Sequence, residues 1–420
     1  MDQFPPSSGQ PGDGQPNPFG NIPLFGDLAK MMQQQGSLDW NAAQQFALSV
    51  LADPSAAPDN RQLMHNVDPL DRIKLEEYGK IAEMFVTATT GFPVAPNGQS
   101  IAVNALTQVQ WVTETLARWK PIVEKLGAAL RQSSSKGTGA SSSVTDSSND
   151  FGSDAEAGFA SMLNGILGMV APTMLGMSTG SMAGHQAKRA FSLYELPIPA
   201  SELRIGVVPA TIDAFANEWS IDGDILRLWV VLHDMTYQTL MNIPHVYARL
   251  SNLIHDHASG FRSNPNGLMD RLDGMEMNSA NPLDGLQKLL SDPELLIGAT
   301  GSPEQAIVAP QLDATVAVLV GYVDWVLDEA GPRLIGAYQM TSEALRRRRV
   351  ESTQADRLTE RLLGVNLTRA QVSRGQAFIA GIIERSGTEA LSRIFEREED
   401  FPTPNDVDAP GLWLARIGLD

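Results

Sequence analysis

Residues 225–241 restrict the fold more than any other stretch, because their apolar side chains fall on nearly every face of a helix. Asp222 or Asp224 can cap this helix, which must end before Asn242 and Pro244. A helix that is apolar on all sides is stable only inside a sizeable core. The chain of 420 residues is long enough to build one.

The remainder of the chain also predicts helices. Apolar residues recur at helical spacing in long runs that Pro, Gly and Asn turns separate. Only the segment from about Leu203 to Val208 has a pattern that suits a short strand. We therefore expect a mainly α-helical fold with little or no sheet.

Composition divides the chain into four regions. Residues 1–36 are rich in Pro, Gly and Gln, which predicts a disordered tail. A helical region follows at 37–130, then a Ser-rich, acidic linker or loop at 131–157, and then the helical core at 158–420.

One uncharged stretch, Ala157 to Gly184, is long enough to cross a bilayer. Its Ser, Thr, Asn, Gly and Pro residues dilute its hydropathy, so we expect no membrane span. Gly176, Gly180 and Gly184 recur every four residues, a spacing that favours a buried helix packed closely against a neighbour. The N-terminus lacks the basic region and the apolar region of a secretion signal. We therefore expect a cytoplasmic protein.

Charge and cysteine content exclude several classes of function. The formal net charge of -18 repels phosphate backbones, so we expect no nucleic-acid partner. The absence of cysteine leaves imidazole and carboxylate as the ligands for any metal. The basic run Arg346 to Arg349 is flanked by Glu343 and Glu351, and we interpret it as a solvated helical face with ion pairs.

The buried helix carries the letters H-D-M-T-Y from His233 to Tyr237, at the place where a zinc protease has H-E-x-x-H. His233 and Tyr237 are four residues apart, so they share one face of the helix. From these residues alone, the simplest interpretation is a buried histidine that is satisfied by hydrogen bonds, with Tyr237 as a partner.

Several segments together resemble a known family. "LDWNAAQQFA", "QWVTETLARWKP", "WVVLHDMTYQTLMNIPHVYARL", "LVGYVDWVLDEAG" and "FPTPNDVDAPGLWLARI" are similar to the zincin-like metalloproteases called zincin type 2, which are common in actinobacteria. The resemblance implies a helical zincin-like fold. It also implies a zinc helix of the form H-E-x-T-H, with a third ligand from a glutamate in a segment like L-E-G-Y-V-D-H-V.

Carried over residue by residue, the resemblance gives an incomplete zinc site. His233 matches the first ligand, whereas Asp234 replaces the general base and Tyr237 replaces the second histidine. Val320 falls where the third ligand would be, and Trp325 stands where the family often has a further histidine. A catalytic zinc needs three protein ligands and an open position for water, which one imidazole cannot provide.

We therefore expect a catalytically inactive homologue that needs no cofactor and binds an unknown protein or peptide partner. Aromatic residues that can line its groove, or simply pack in the core, are Trp229, Tyr237, Tyr247, Tyr322 and Trp325. The alternative is an active zinc hydrolase with a non-standard ligand set, drawn from His245, Asp234, Asp324 or Asp328.

Overall fold

The structure is a computed structural model, and it describes residues 38–52, 66–139, 175–262, 302–351 and 353–419. The predicted tail at 1–36 lies outside these residues. So do positions 140–157 of the predicted linker and positions 158–174 at the start of the predicted core.

The described residues are mainly α-helical with one very small sheet, which confirms the expected fold class. Most helices begin at a Pro or a capping Asp, Ser or Thr, as their sequences predict. The α-helices are α1 (Trp40–Leu51), α2 (Pro69–Thr90), α3 (Gln108–Gly139), α4 (175–187), α5 (Pro209–Trp219), α6 (Gly223–Met241), α7 (Pro244–Ser259), α8 (Pro303–Leu334), α9 (Tyr338–Val350), α10 (Gln354–Leu363), α11 (Arg369–Ser386), α12 (Arg393–Glu396), α13 (Pro404–Asp408) and α14 (Pro410–Ile417), with 3-10 turns at Pro96–Gly98, Thr388–Ser392 and Glu398–Asp400.

Helix α6 begins and ends where the sequence predicts. Asp222 is its N-cap, and the side chain accepts a hydrogen bond from the backbone N–H of Asp224 at 2.8 Å. The helix stops at Asn242, and Pro244 then opens α7. Helix α3 is longer than expected, because it continues past residue 130 to Gly139, into the region predicted as a linker.

The sheet consists of β1 (Ala102–Ala105) and β2 (Arg204–Val207), which pair in parallel with Val103 opposite Ile205. Strand β2 confirms the predicted strand, whereas the sequence did not predict β1. Ser192 forms an antiparallel bridge with Val207, and the neighbouring Leu193 N–H donates to the carbonyl of Gly206 at 3.0 Å. These bonds fix the segment 186–197 against the sheet.

Helix α8 runs through the centre of the core. Its residues from Ala314 to Val320 are all completely or almost completely buried, so it is apolar on every side. It is the one helix in the described ranges that is long and apolar enough to cross a membrane, yet 61% of its most apolar stretch is buried inside the protein. That burial is typical of a core helix.

Glycines allow the closest helix contacts. A Cβ atom at Gly375 of α11 would overlap the backbone carbonyl of Ala317 in α8, and one at Gly321 would overlap the backbone of Gly375. In α4, Gly180 and Gly184 approach the carbonyls of Ala43 and Ala47 in α1 in the same way. The closely packed helix that the glycine spacing predicted is thus confirmed for its described part.

Replacing Gly375 with Ala should destabilise the protein by about 2–3 kcal/mol or more, because the added methyl group meets backbone rather than a movable side chain. Urea denaturation measures this loss. Gly336→Ala is the matched control, since a Cβ there meets nothing within 4 Å, and it should change the free energy of unfolding by less than about 0.5 kcal/mol. Equal losses in the two variants would contradict the crossing described here.

Candidate functional site

A cavity of about 80 Å³ lies beside His233, and we call it the His233 cleft. Its walls come from α6, from α9 and α10, and from the segment 186–197 that the sheet holds in place. Its lining includes Arg189, Phe191, Ser192, Tyr194, Glu195, Trp229, His233, Tyr237, Arg346, Arg348, Arg349, Asp356, Glu360 and Leu367.

The His233 ring lies between two aromatic rings of its own helix. Trp229, one turn earlier, stacks on it at 5.2 Å between centroids, and Tyr237, one turn later, meets it edge-on at 4.9 Å. The Nδ1 atom lies 3.0 Å from Oδ1 of Asp234. The hydrogen-bond partner of His233 is therefore Asp234. The sequence predicted a hydrogen bond between His233 and Tyr237, but the two rings meet edge-on instead.

Asp234, which the resemblance places at the general-base position, does not line the cleft. It is completely buried, and its Oδ1 also accepts a hydrogen bond from Oγ of Ser192 at 2.8 Å. Burial raises the pKa of Asp234, while the contacts with His233 and Ser192 oppose that rise. The carboxyl group is closed off from solvent and contacts the His233 ring through Nδ1.

Tyr237, which the resemblance places at the second ligand position, is almost fully buried. Its ring stacks on that of Tyr194, with centroids 5.6 Å apart and planes 9° apart. Burial raises the pKa of the Tyr237 hydroxyl above its usual range, against the opposing effect of Arg349. The phenolate form that a metal would require is thus disfavoured at this position.

Val320, which the resemblance places at the third ligand position, is buried in α8. One turn later, both oxygens of Asp324 accept hydrogen bonds from Arg349, at 2.9 and 2.8 Å, and Gln376 donates to Oδ2 at 2.8 Å. Burial alone would raise the pKa of Asp324, but Arg349 and the other donors hold it below the usual value. A guanidinium ion is therefore fixed on Asp324, one helical turn after Val320.

The interpretation of the arginine run as a solvated face is wrong for three of its four members. Arg346, Arg348 and Arg349 line the His233 cleft, and the Arg348 and Arg349 side chains are only 13% exposed. Arg347 alone in the run faces solvent, with its side chain 59% exposed and paired with Glu351. The predicted ion pairs exist, but the inward ones reach buried or half-buried carboxylates.

Two arginines tie the 186–197 segment to the helices opposite. Arg348 lies over the ring of Phe191 at 3.7 Å and pairs with Glu195 at 3.3 Å, and it also donates to the backbone carbonyl of Arg189. In return, Arg189 donates to Asp356 of α10 at 2.7 Å. These contacts hold the two walls of the cleft at a fixed separation.

Glu360 lines the cleft on α10 and is only 8% exposed. Burial raises the pKa of this carboxyl to about 7. A hydrogen bond from the Leu367 backbone opposes that rise, and the nearby charge of Asp356 adds to it. Near neutral pH, Glu360 is therefore divided between its charged and uncharged forms.

The residues present do not fit a catalytic zinc. Across the described ranges, no three His, Asp or Glu side chains converge as a group that could hold a metal ion. The substitute ligands considered from the sequence have other roles: Asp234 holds His233, Asp324 binds Arg349, and Asp328 accepts from Arg346 at 2.8 Å. His245 lies on α7 and does not line the cleft.

The five aromatic residues proposed for one groove are divided between different places. Trp229 and Tyr237 line the His233 cleft, and Tyr322 and Trp325 line a separate cavity of about 710 Å³ beside the end of α2. Tyr247 lines neither of these two cavities. Of the two alternatives that the sequence left open for these residues, a single shared groove is not formed.

Sequence reasoning missed Ser192, Tyr194, Glu360 and the inward arginines. One signal for the arginines was present: Asp324 and Asp328 are one turn apart on α8, and Arg346 and Arg349 are one turn apart on α9. Two helices with such complementary faces can pair, as these do. Nothing in the local sequence marked Ser192, because the sheet and α6 bring it to Asp234.

Comparison with known proteins agrees with this fold. The model of the zincin-like metallopeptidase family matches residues 38–414, which is most of the chain. Among curated proteins, none is detectably similar to this sequence.

A solved structure from Chloroflexus aurantiacus, described as a candidate hydrolase with a novel fold, is similar to the chain with a TM-score of 0.61. The similarity covers 91% of this chain and 99% of that one, at 17% sequence identity. At this level of identity the likeness shows a common fold.

Arg349→Met should destabilise the protein by about 3–5 kcal/mol, because it leaves the Asp324 carboxylate buried without its main partner. Urea denaturation measures the loss, with Arg347→Met as the matched control at an exposed arginine of the same run. The double variant Arg349→Met, Asp324→Leu removes both charges and should recover most of the stability. An equal loss in Arg347→Met would contradict the buried pair.

Glu360→Gln should gain stability relative to the native chain as the pH rises from about 5 to 8. The folded protein holds a proton on Glu360 up to a pKa of about 7, whereas the unfolded chain releases it near the ordinary value, so the native protein loses stability across this range. Glutamine has no such loss. Partial solvation limits the expected gain to about 1–2 kcal/mol.

Urea denaturation at the two pH values tests this expectation for Glu360. Glu384→Gln is the control, because that side chain is 82% exposed and should alter stability little at either pH. A difference between native protein and Glu360→Gln that stays constant with pH would show that the carboxyl is not desolvated as described.

Proposed function

We propose that this chain, which belongs to the zincin-like metallopeptidase family, has lost metal-dependent hydrolysis and uses the His233 cleft to bind a protein or peptide partner. The proposal places the protein in the cytoplasm, consistent with the sequence-based expectation. It requires no cofactor.

The observation that carries the proposal is the occupation of all the catalytic positions by other interactions. His233 is held by Asp234, Tyr237 is stacked and buried, and Val320 has no ligand atom. Arg349 binds both oxygens of Asp324, so this carboxylate is not free to act as a metal ligand. The three substitutions and the occupied Asp324 act in the same direction.

The cleft itself supports a binding role. Its two walls are tied together by Arg189 and Arg348, which reduces the entropy that a ligand must overcome on binding. Its floor combines the stacked rings of Trp229 and His233 with polar groups. A concave site with aromatic surface and a few fixed polar groups is typical of ligand binding.

Restoring the family's ligand set tests the loss of the metal site. We expect the native chain, produced without a histidine tag and dialysed against zinc, to retain no stoichiometric metal by mass spectrometry. The triple variant Asp234→Glu, Tyr237→His, Val320→Glu should retain about one zinc per chain, since it restores three protein ligands and the base. Adding His233→Ala to the triple variant should abolish that zinc.

Two results would contradict the proposal. About one zinc per native chain that is lost in His233→Ala, with chelator-sensitive cleavage of labelled casein, would establish the active hydrolase as the correct alternative. A triple variant that folds by circular dichroism but binds no zinc would show that positions 233, 237 and 320 do not converge as the resemblance implies.

A further inference from the structure

A second cavity lies on another side of α8, and we call it the Trp325 groove. Its volume is about 710 Å³, compared with about 80 Å³ for the His233 cleft. Pockets that bind small molecules have volumes of about 300–1,000 Å³. The walls of the groove are the end of α2, one face of α8 and the 3-10 turn Thr388–Ser392. The groove therefore has the size of a ligand site, and it shares no lining residue with the cleft.

Helix α8 forms one wall of the groove through residues that are three or four positions apart and so share a face of the helix. These residues are Tyr322, Trp325, Glu329 and Arg333. Asp324 and Asp328 belong to a neighbouring face, and they pair with Arg349 and Arg346 of α9. The charged residues in the groove are therefore not those that bind the arginines of the His233 cleft.

The floor of the groove is aromatic. The rings of Tyr322 and Trp325 have centroids 5.2 Å apart and planes 52° apart. Tyr322 is only 1% exposed, whereas Trp325 and Phe85 are partly buried, so a ligand can reach the latter two rings. Met84, which is 61% exposed, adds apolar surface beside them. The apolar part of a ligand can pack on this surface, and the face of an aromatic ring also attracts cations.

The charged residues of the groove carry a net negative charge. Glu329 and Glu389 are acidic, Arg333 is basic, and all three residues are exposed. Among the residues that the structure describes, none of these three side chains takes part in an ion pair or a hydrogen bond. One carboxylate is thus left without a compensating charge, and the formal net charge of -18 on the whole chain adds to its field. A concave site with such a field favours a cation.

We propose that the Trp325 groove binds an organic cation, a small molecule that carries an ammonium group on an apolar body. The apolar body packs on Trp325 and Phe85, and the carboxylates of Glu329 and Glu389 attract the ammonium group. Arg333 opposes the cation, so its removal strengthens binding. This inference does not rest on the proposed function, because the groove and the His233 cleft have no residue in common.

Three compounds with the same phenylbutyl body test the inference by isothermal titration calorimetry. Near neutral pH, 4-phenylbutylamine is positively charged, 4-phenylbutan-1-ol is neutral and 4-phenylbutanoate is negatively charged. The amine should bind about tenfold more tightly than the alcohol, because it alone gains from the carboxylates and from the cation–π contact. Its affinity should fall as salt is added, since exposed charges are screened. The butanoate should bind most weakly of the three.

Single variants at exposed positions identify the groove as the site. Glu329→Gln and Glu389→Gln should each weaken binding of the amine about threefold, and Arg333→Gln should tighten it about threefold. Glu384→Gln is the matched control, because that side chain is 82% exposed and lies outside the groove, and it should leave binding unchanged. Trp325→Leu should reduce the preference for the amine over the alcohol to about threefold, because leucine has apolar surface but no ring face.

Other results would overturn the inference and leave the proposed function of the His233 cleft untouched. These are equal affinities for the amine and the alcohol, tightest binding of the butanoate, and no binding of any of the three compounds. An equal loss of affinity in Glu384→Gln and Glu329→Gln would also overturn it, because the amine would then respond only to the overall charge of the surface. Weaker binding in both groove glutamate variants, together with tighter binding in Arg333→Gln, establishes the site.

Discussion

Two helices can approach as closely as α8 and α11 do only if neither carries a side chain where they cross. Gly321 and Gly375 meet this condition, and the backbone of each helix fills the space that a Cβ atom would need. The crossing buries apolar surface of α8. It also fixes the rotation of this helix about its axis and its position along that axis. As a result, Asp324 has a fixed position in the core, and from there it binds Arg349, which lines the cleft.

Much of the fold followed from residue patterns because helices depend mainly on local sequence. Apolar periodicity and the Asp222 cap predicted α6, and the glycine spacing predicted the close packing of α4. Strand β1 could not be predicted in the same way. A strand of four residues exists only because β2, about a hundred positions later, pairs with it.

The sequence identified residues of the candidate site but not the contacts that they make. Asp234, Tyr237 and Val320 can be compared with the ligand set that the resemblance implies from the sequence alone, because the ability of a side chain to bind zinc is a matter of its chemistry. The partners that these positions acquired depend on tertiary contacts: Ser192 reaches Asp234 through the sheet, and Tyr194 stacks on Tyr237. The arginine run was misinterpreted because a cluster of like charges suggests solvent unless the carboxylates that face it are known.

The positive charge of Arg349 differs from that of a bound metal ion in where it comes from. A zinc ion is bound from solution, so a chelator, a competing metalloprotein or zinc starvation can remove it from a protein. Arg349 stays protonated over the whole biological pH range, and the chain itself encodes it. The cross-link between Arg349 and Asp324 is therefore present as soon as the polypeptide has folded, without any group taken up from solution.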